Sequence, residues 1–391
     1  MKSFEELPIS GEITRSLKEL GFREMFPIQA AAIGPLLDGR DVIGQAKTGT
    51  GKTAAFGVPI IQRVDRDQDS VQALIIVPTR ELAVQVASDL NEYSKYVSVR
   101  TLAVYGGQPI YSQMQALQHT VHIIVGTPGR LIDHLNRGTI LFDNVRMAVL
   151  DEADRMLDMG FRDDIEFILS RTATGRQTAM FSATMPEEIL EMASRHMYAP
   201  ERILVSKDEI AVEEIEQLYG MVHPERKFQA LCNILEKDTV KRALIFCSTK
   251  HGADQLGRRL GQTRRDIAVI HGDLTQPQRE RALSNFRSGR AKFLVATDVA
   301  SRGLDIEGIS HVINYDVPND PLNYFHRIGR TGRAGASGIA VTLVSRHEMG
   351  TLKTIQNMTH TRMRELPGLS SPPFAKDHAS MLQYSSHRPS A

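Results

Sequence analysis

The chain has 391 residues, 41% of them hydrophobic, enough to bury more than one core, so two domains are the default expectation. Two cysteines, Cys232 and Cys247, both in apolar surroundings, exclude a disulfide framework or a cysteine-rich metal cluster and suit a reducing compartment. The net charge of +1 conceals an asymmetry: residues 1–205 hold 21 Lys and Arg against 26 Asp and Glu, while residues 206–391 hold 26 against 20, which fits a nucleic-acid partner for the second half or attraction between the halves.

Taken in chain order, the start Met1-Lys2-Ser3-Phe4-Glu5-Glu6 has no apolar signal segment, and no stretch approaches membrane-spanning length. A soluble, cytoplasmic protein with no membrane partner is expected. Asp41-Val42-Ile43 reads as a short strand, and Ala54-Ala55-Phe56-Gly57-Val58 as an apolar helix after a glycine-rich loop. Strand-length apolar runs follow at 73–77, 122–125, 147–150 and 178–181, each trailed by a turn and a helix-like segment. The charged stretch 206–214 has no strand character and reads as a linker. The second half repeats the alternation, with strands at 243–247, 267–270, 293–296 and 339–343, and the tail from Pro367 is rich in Ser and Pro and is expected to be disordered. This alternation predicts an α/β fold of parallel sheets covered by helices. The expected organisation is a first domain over 1–205, a linker over 206–214, a second domain over 215–366 and a tail over 367–391. No sequence repeat is evident between the halves.

Ala46-Lys47-Thr48-Gly49-Thr50-Gly51-Lys52-Thr53 is built to hold nucleotide phosphates. Its glycines let backbone N–H groups converge on anionic oxygens, the Lys52 ammonium reaches the outer phosphates, and the Thr53 hydroxyl can ligate Mg²⁺. The loop begins with Ala46 where the pattern has glycine. A second element of such a site is a carboxylate at the end of a buried strand, and Met147-Ala148-Val149-Leu150 delivers Asp151-Glu152-Ala153-Asp154. Asp151 is expected to hold Mg²⁺ through water, and Glu152 to activate the attacking water, since one carboxylate must stay with the metal while the other handles the proton. The thirteen histidines form no metal-binding spacing.

These residues and others in order resemble a DEAD-box RNA helicase. Asp151-Glu152-Ala153-Asp154 spells the namesake motif, and Pro78-Thr79-Arg80-Glu81-Leu82-Ala83, Gly106-Gly107, Thr127-Pro128-Gly129-Arg130 and Ser182-Ala183-Thr184 match around it. The second half continues with His271-Gly272-Asp273, Gln276 and Arg279, then Ala296-Thr297-Asp298, Ser301-Arg302-Gly303-Leu304-Asp305, and His326-Arg327-Ile328-Gly329-Arg330-Thr331-Gly332-Arg333. The resemblance runs from about Phe4 to Ser345.

It implies two tandem RecA-like domains joined by a flexible linker, with ATP and RNA bound across the cleft between them. It assigns Ala46, Thr48, Gly49, Thr50, Gly51, Lys52 and Thr53 to the phosphates and Mg²⁺, Gly303 and Asp305 to the ribose side, and Arg330 and Arg333 to the γ-phosphate. The alternative for the arginines at 327, 330 and 333 is a solvated basic loop or RNA-phosphate contacts, which for Arg330 and Arg333 ranks well below the γ-phosphate reading. His326 belongs to a relay between the domains, and Ser182 and Thr184 couple nucleotide to RNA. Gly21-Phe22 and Pro27-Ile28-Gln29 resemble the family's adenine-reading segment, with Phe4 as its upstream aromatic. Gln29 carries donor and acceptor on one amide, and Met25-Phe26 stands where the family usually has Pro-Thr.

RNA is expected to be held by its backbone through Pro78, Thr79, Arg80, Gly107, Thr127, Pro128, Gly129 and Arg130 in the first half, and through Gly272, Arg279 and Thr297 in the second. Sequence preference should be weak, with RNA told apart by its 2′-hydroxyls. An ATP-dependent RNA helicase acting on single strands and short duplexes leads; an ATP-gated RNA clamp and a DNA translocase are the other classes. Target choice must come from protein partners or be broad.

Overall fold

Uninterrupted runs of Val, Ile, Leu and Ala suit strands covered on both faces, and they form the centre of each half of the chain. The computed structural model describes residues 3–46, 50–205, 215–298, 308–318, 320–332, 338–359 and 363–366. These separate into two compact units, each built on one seven-stranded sheet in which every pairing is parallel. The expected linker at 206–214 and the tail from 367 lie outside the described residues.

The first sheet comprises β1 (Val42–Gln45), β2 (Ala73–Ile76), β3 (Thr101–Val104), β4 (Ile123–Gly126), β5 (Met147–Asp151), β6 (Gln177–Ser182) and β7 (Glu201–Leu204), in the spatial order β3-β4-β2-β5-β6-β1-β7. The second comprises β8 (Ile215–Met221), β9 (Ala243–Cys247), β10 (Ile267–Ile270), β11 (Phe293–Thr297), β12 (His311–Asn314), β13 (Gly338–Val344) and β14 (Arg364–Glu365), in the order β10-β11-β9-β12-β13-β8-β14. Counted from its own first strand, each sheet has the same order, third-fourth-second-fifth-sixth-first-seventh.

In the first unit one face of the sheet is covered by α1 (Gly11–Glu19), α2 (Pro27–Leu37), α3 (Lys52–Arg63) and α4 (Arg80–Tyr93), which bury Leu17, Ile33, Phe56, Val86 and Leu90. Phe4, Phe22 and Tyr93 stand edge to face there, with ring centroids 5.7 Å apart in each pair. The other face carries Leu131, Met156, Ile165 and Ile189, among them residues of α6 (Pro128–Asn136) and α7 (Ala153–Asp158); α5 (Ile110–Ala116) lies between β3 and β4 in the chain.

The edge strand β3 is short. Its Thr101 N–H donates to the Asn91 Oδ1, 3.3 Å, and its carbonyl accepts from Asn91 Nδ2, 3.4 Å, so a side-chain amide from α4 sits where a neighbouring strand's backbone would be.

The second unit centres on Leu231, Ile245, Leu256, Leu260 and Val295. Arg327, 2% exposed, is a charged side chain buried in this unit, and its guanidinium takes both oxygens of Asp298 (2.5 and 2.8 Å), Asn314 Oδ1 (3.2 Å) and the Asp316 carbonyl (2.8 Å). Neither a solvated loop nor an RNA contact describes Arg327: it ties together the ends of β11 and β12 from the helix over Pro321–Ile328.

Candidate nucleotide and RNA sites

Parallel strands deliver their following loops to one end of a sheet, and ligands of such folds bind there. In the first unit β5, β6 and β1 are neighbours, so Asp151, Ser182 and the phosphate loop come together. The loop starts against β6, where the Ala46 N–H donates to the Ser182 carbonyl, 3.0 Å. It ends at Gly51, the N-cap of α3, in the left-handed region at φ 81°. A side chain at Gly51 would be strained by that backbone and would lie 2.2 Å from the Gln29 amide nitrogen. Thr48 and Gly49 lie outside the described residues; Thr50 and Thr53 are half-buried beside the loop.

Lys52 opens α3 and is buried. Its Nζ donates to the Ala46 carbonyl, 3.0 Å, and lies 3.8 Å from Asp151 Oδ1. Burial pushes the Asp151 carboxyl up to about 6; the Lys52 charge pulls it back, and Glu152 and Asp154 add to the rise. A carboxylate so placed gains from a second cation. Among the described residues no group of three or more His, Cys, Asp or Glu could cage a metal. One carboxylate and the Thr53 hydroxyl are the hard oxygen donors that suit a Mg²⁺ held mainly by phosphate and water.

Glu152 stands in the left-handed region at φ 53° and ψ 49°, one of two such non-glycine residues described, and that conformation costs on the order of 1 to 2 kcal/mol. Its N–H donates to Asp151 Oδ1, 2.9 Å, and its carboxylate takes Arg155 Nη1 at 2.8 Å, both side chains being buried. The fourth residue of the motif points the other way. Asp154 Oδ2 accepts the Thr184 N–H and hydroxyl, each at 2.9 Å, and the Asp154 N–H donates to the Ser182 hydroxyl, 3.2 Å. Ser182 and Thr184 are thus locked to the strand end that carries the two acidic residues.

Gln29 is fully buried in the first turn of α2. Its Oε1 accepts the Phe26 N–H (2.8 Å) and its Nε2 donates to the Gly51 carbonyl (3.0 Å), so the amide joins α2 to the phosphate loop. Phe4 is 2% exposed and, with Phe22, belongs to the aromatic cluster behind this helix; the exposed aromatic beside Gly51 is Phe26, 49% exposed. The departure Met25-Phe26 therefore puts a ring at the loop, with Met25 buried beneath it.

The first unit gathers a second group at the ends of β2, β3 and β4. Thr79 caps α4 by accepting the Leu82 N–H, and Arg80 follows it. The Arg80 guanidinium lies over Gly106 and Gly107: a Cβ on Gly107, whose φ is 88°, would meet Arg80 Nη1 at 2.1 Å. Thr127 and Pro128 open α6, and Gly129 is exposed beside them. Arg130 Nη1 donates to Gln113 Oε1 (3.1 Å) and its Nη2 to the Gln108 carbonyl (2.9 Å). The residues named from sequence on this half, Pro78, Thr79, Arg80, Gly107, Thr127, Pro128, Gly129 and Arg130, thus sit on three adjacent strand ends. Gln113 could not be singled out from sequence, because a lone glutamine on a helix carries no motif.

In the second unit Gly272 follows β10, Thr297 ends β11, and Arg279 is buried on the helix over Gln276–Arg287. His326 and Arg330 sit at and after the end of the helix carrying Arg327, with Arg330 Nε donating to the His326 carbonyl, 3.2 Å. Gly303, Asp305 and Arg333 lie outside the described residues.

A family model described as DEAD/DEAH box helicase matches residues 26–192, and one described as helicase conserved C-terminal domain matches 226–335. The chain is 48% identical over 366 residues to the DEAD-box ATP-dependent RNA helicase CshA of Geobacillus kaustophilus, covering 94% of this chain and 78% of that one. It is 49% identical to the ATP-dependent RNA helicase CshA of Listeria monocytogenes, covering 94% and 70%. Among solved structures, S. cerevisiae Dbp5 bound to RNA and ADP BeF3 aligns with a TM-score of 0.87 at 32% identity, covering 94% of this chain and 96% of that one. Mss116p bound to ssRNA and AMP-PNP aligns with a TM-score of 0.83 at 29% identity, covering 95% and 79%.

Proposed function

This chain belongs to the DEAD-box ATP-dependent RNA helicases, hydrolases acting on ATP with two tandem RecA-like domains, and on that premise we propose that it unwinds short RNA duplexes locally or remodels RNA–protein complexes. The observation that carries the reading is the buried Lys52–Asp151 pair at 3.8 Å, with Glu152 held beside it by Arg155.

Lys52 takes the outer phosphates, Thr53 and, through water, Asp151 hold Mg²⁺, and Glu152 orients and deprotonates the attacking water. A Mg²⁺ held by these residues would supply charge neutralisation to the phosphoryl oxygens. Arg330 and Arg333 supply guanidinium groups to the γ-phosphate, a contribution worth ~10³–10⁵ in rate where such fingers have been measured. Closure of the two domains on ATP and RNA is then the switch, with Ser182 and Thr184 passing the state of the acidic strand end to the RNA side. Arg80, Gly107, Thr127 and Arg130 in one unit, and Gly272, Arg279 and Thr297 in the other, grip phosphates and sugars, so sequence preference is weak and added salt weakens binding. Protein partners set the target, and the compartment is the cytoplasm.

The test is ATP turnover with no nucleic acid, with RNA and with DNA of the same sequence. Strong stimulation by RNA alone supports the reading. Equal stimulation by DNA would make the chain a general single-strand translocase.

A further inference from the structure

Gln113 lies on α5, outside every motif of the sequence, yet it is buried and hydrogen-bonded through both the nitrogen and the oxygen of its amide. Its Nε2 donates to the Tyr105 carbonyl, 2.9 Å, which settles the orientation of the amide, because a carbonyl can only accept. The Oε1 is thereby turned toward two donors: Arg130 Nη1 at 3.1 Å and His134 Nε2 at 3.1 Å. An acceptor at that place requires the proton of His134 on Nε2, leaving Nδ1 to accept from the Thr139 hydroxyl, 2.7 Å away. His134 is fully buried, and burial, with the Arg130 charge, holds it below the usual imidazole value, so the ring is neutral and its hydrogen-bond pattern fixed.

Four residues from three segments therefore form one relay, from Thr139 through His134 and Gln113 to the Arg130 guanidinium. The far side of the same guanidinium donates to the Gln108 carbonyl, 2.9 Å. These two bonds use two of its five N–H groups and pin its plane. An arginine left loose loses rotamer entropy when a ligand fixes it, and here that ordering is done before any ligand arrives.

We infer that Gln113 is a positioning residue for RNA, holding the Arg130 guanidinium in the orientation that receives a phosphate. The inference rests on the reading of Arg130 as an RNA contact. Gln113 touches no substrate; it acts through Arg130. It also lines an open groove of about 430 Å³ between α4, β3 and α5, so truncating it exposes the site to water rather than leaving a sealed void.

The experiment is a double-mutant cycle on the full chain, using a fluorescein-labelled oligouridine in the presence of a non-hydrolysable ATP analogue, with the KM for RNA in the ATPase assay as a second readout. Gln113→Met should weaken oligouridine binding roughly tenfold, the range of a hydrogen bond to a charged group. It should raise the KM for RNA while kcat at saturating RNA stays near wild type. Arg130→Ala should weaken binding at least as much, and Gln113→Met added to it should change nothing further. Gln113→Ala repeats the cycle should the methionine variant melt below the assay temperature. Losses that add in the double variant, or a Gln113 variant that binds as wild type while Arg130→Ala does not, would overturn the inference and leave Arg130 in its role. An Arg130→Ala variant that binds RNA normally would overturn both.

Discussion

The two units share a sheet topology to the last strand, yet their strand ends carry different residues. Where β1 runs into Ala46 and the glycine-rich loop, β8 runs into Val222-His223-Pro224, a turn with no glycine. Where β5 delivers Asp151 just past its neighbour's ladder, β12 delivers Tyr315. Its hydroxyl is pushed up to about 12, chiefly by burial, and its carbonyl accepts from Lys227. At the corresponding end of the second sheet the buried charge is Arg327, satisfied by Asp298, Asn314 and Asp316. One frame thus carries a buried Lys52–Asp151 pair in one copy and an internal polar brace in the other, and the segments after the strands decide which.

The largest expected effect separates the two copies most sharply. Glu152→Gln should keep ATP and RNA binding but cut turnover by ~10²–10⁴, the usual worth of a general base, whereas Tyr315→Phe in the other copy should stay within about twofold. Steady-state ATPase rates on both variants check it; near-normal turnover in Glu152→Gln would remove that residue from its role. Lys52→Ala should fail differently, by losing nucleotide affinity.

Next in size is the brace. Arg327→Met removes the guanidinium that the half-buried Asp298 carboxylate, Asn314 and the Asp316 carbonyl share, a loss of about 1–3 kcal/mol. Calorimetry should then show the second unit melting earlier with the first unchanged, and a single shifted transition would argue that the units do not unfold separately.

A smaller effect concerns base choice. Gln29→Ala removes the amide that bridges Phe26 and Gly51, so the preference for ATP over GTP should narrow, measured as the ratio of kcat/KM for the two nucleotides. A wild-type protein with no preference would mean that Phe26 has already displaced the reader.

Smallest is an acid response confined to the second copy. Glu348 is pushed up by burial, but hydrogen bonds from Ser345 and from Lys227, 2.9 Å away, outweigh that and hold it below its usual value. The folded form binds fewer protons there, so this stability is present above about pH 4.5 and is lost as pH falls through the lowered value. Glu348→Gln should flatten that part of the melting-temperature profile against pH.

The alternation of apolar runs was enough to read parallel sheets, because strands buried on both faces show little else. The strands at 101–104, 215–221 and 311–314 were less legible: β3 is a half-buried edge, β8 carries Glu216 and Gln217, and β12 begins at His311 and ends at Asn314. The phosphate and acidic residues were legible because their chemistry demands fixed spacing. Gln113 was not, since its partners lie in other segments; Arg155 and Arg327 stand beside or within a motif, but no local pattern records their burial. Phe4 and Phe22 were legible as aromatics, but their place in a buried cluster follows from packing against Tyr93.

The Asn91 amide that fills the ladder position beside Thr101 has a consequence for the protein as a material. A bare outer strand invites the same strand of another molecule and starts a growing stack. Here the first outward donor and acceptor of β3 are already taken by a side chain that cannot be extended. The result is a stopper built from one residue at the outer edge of the first sheet.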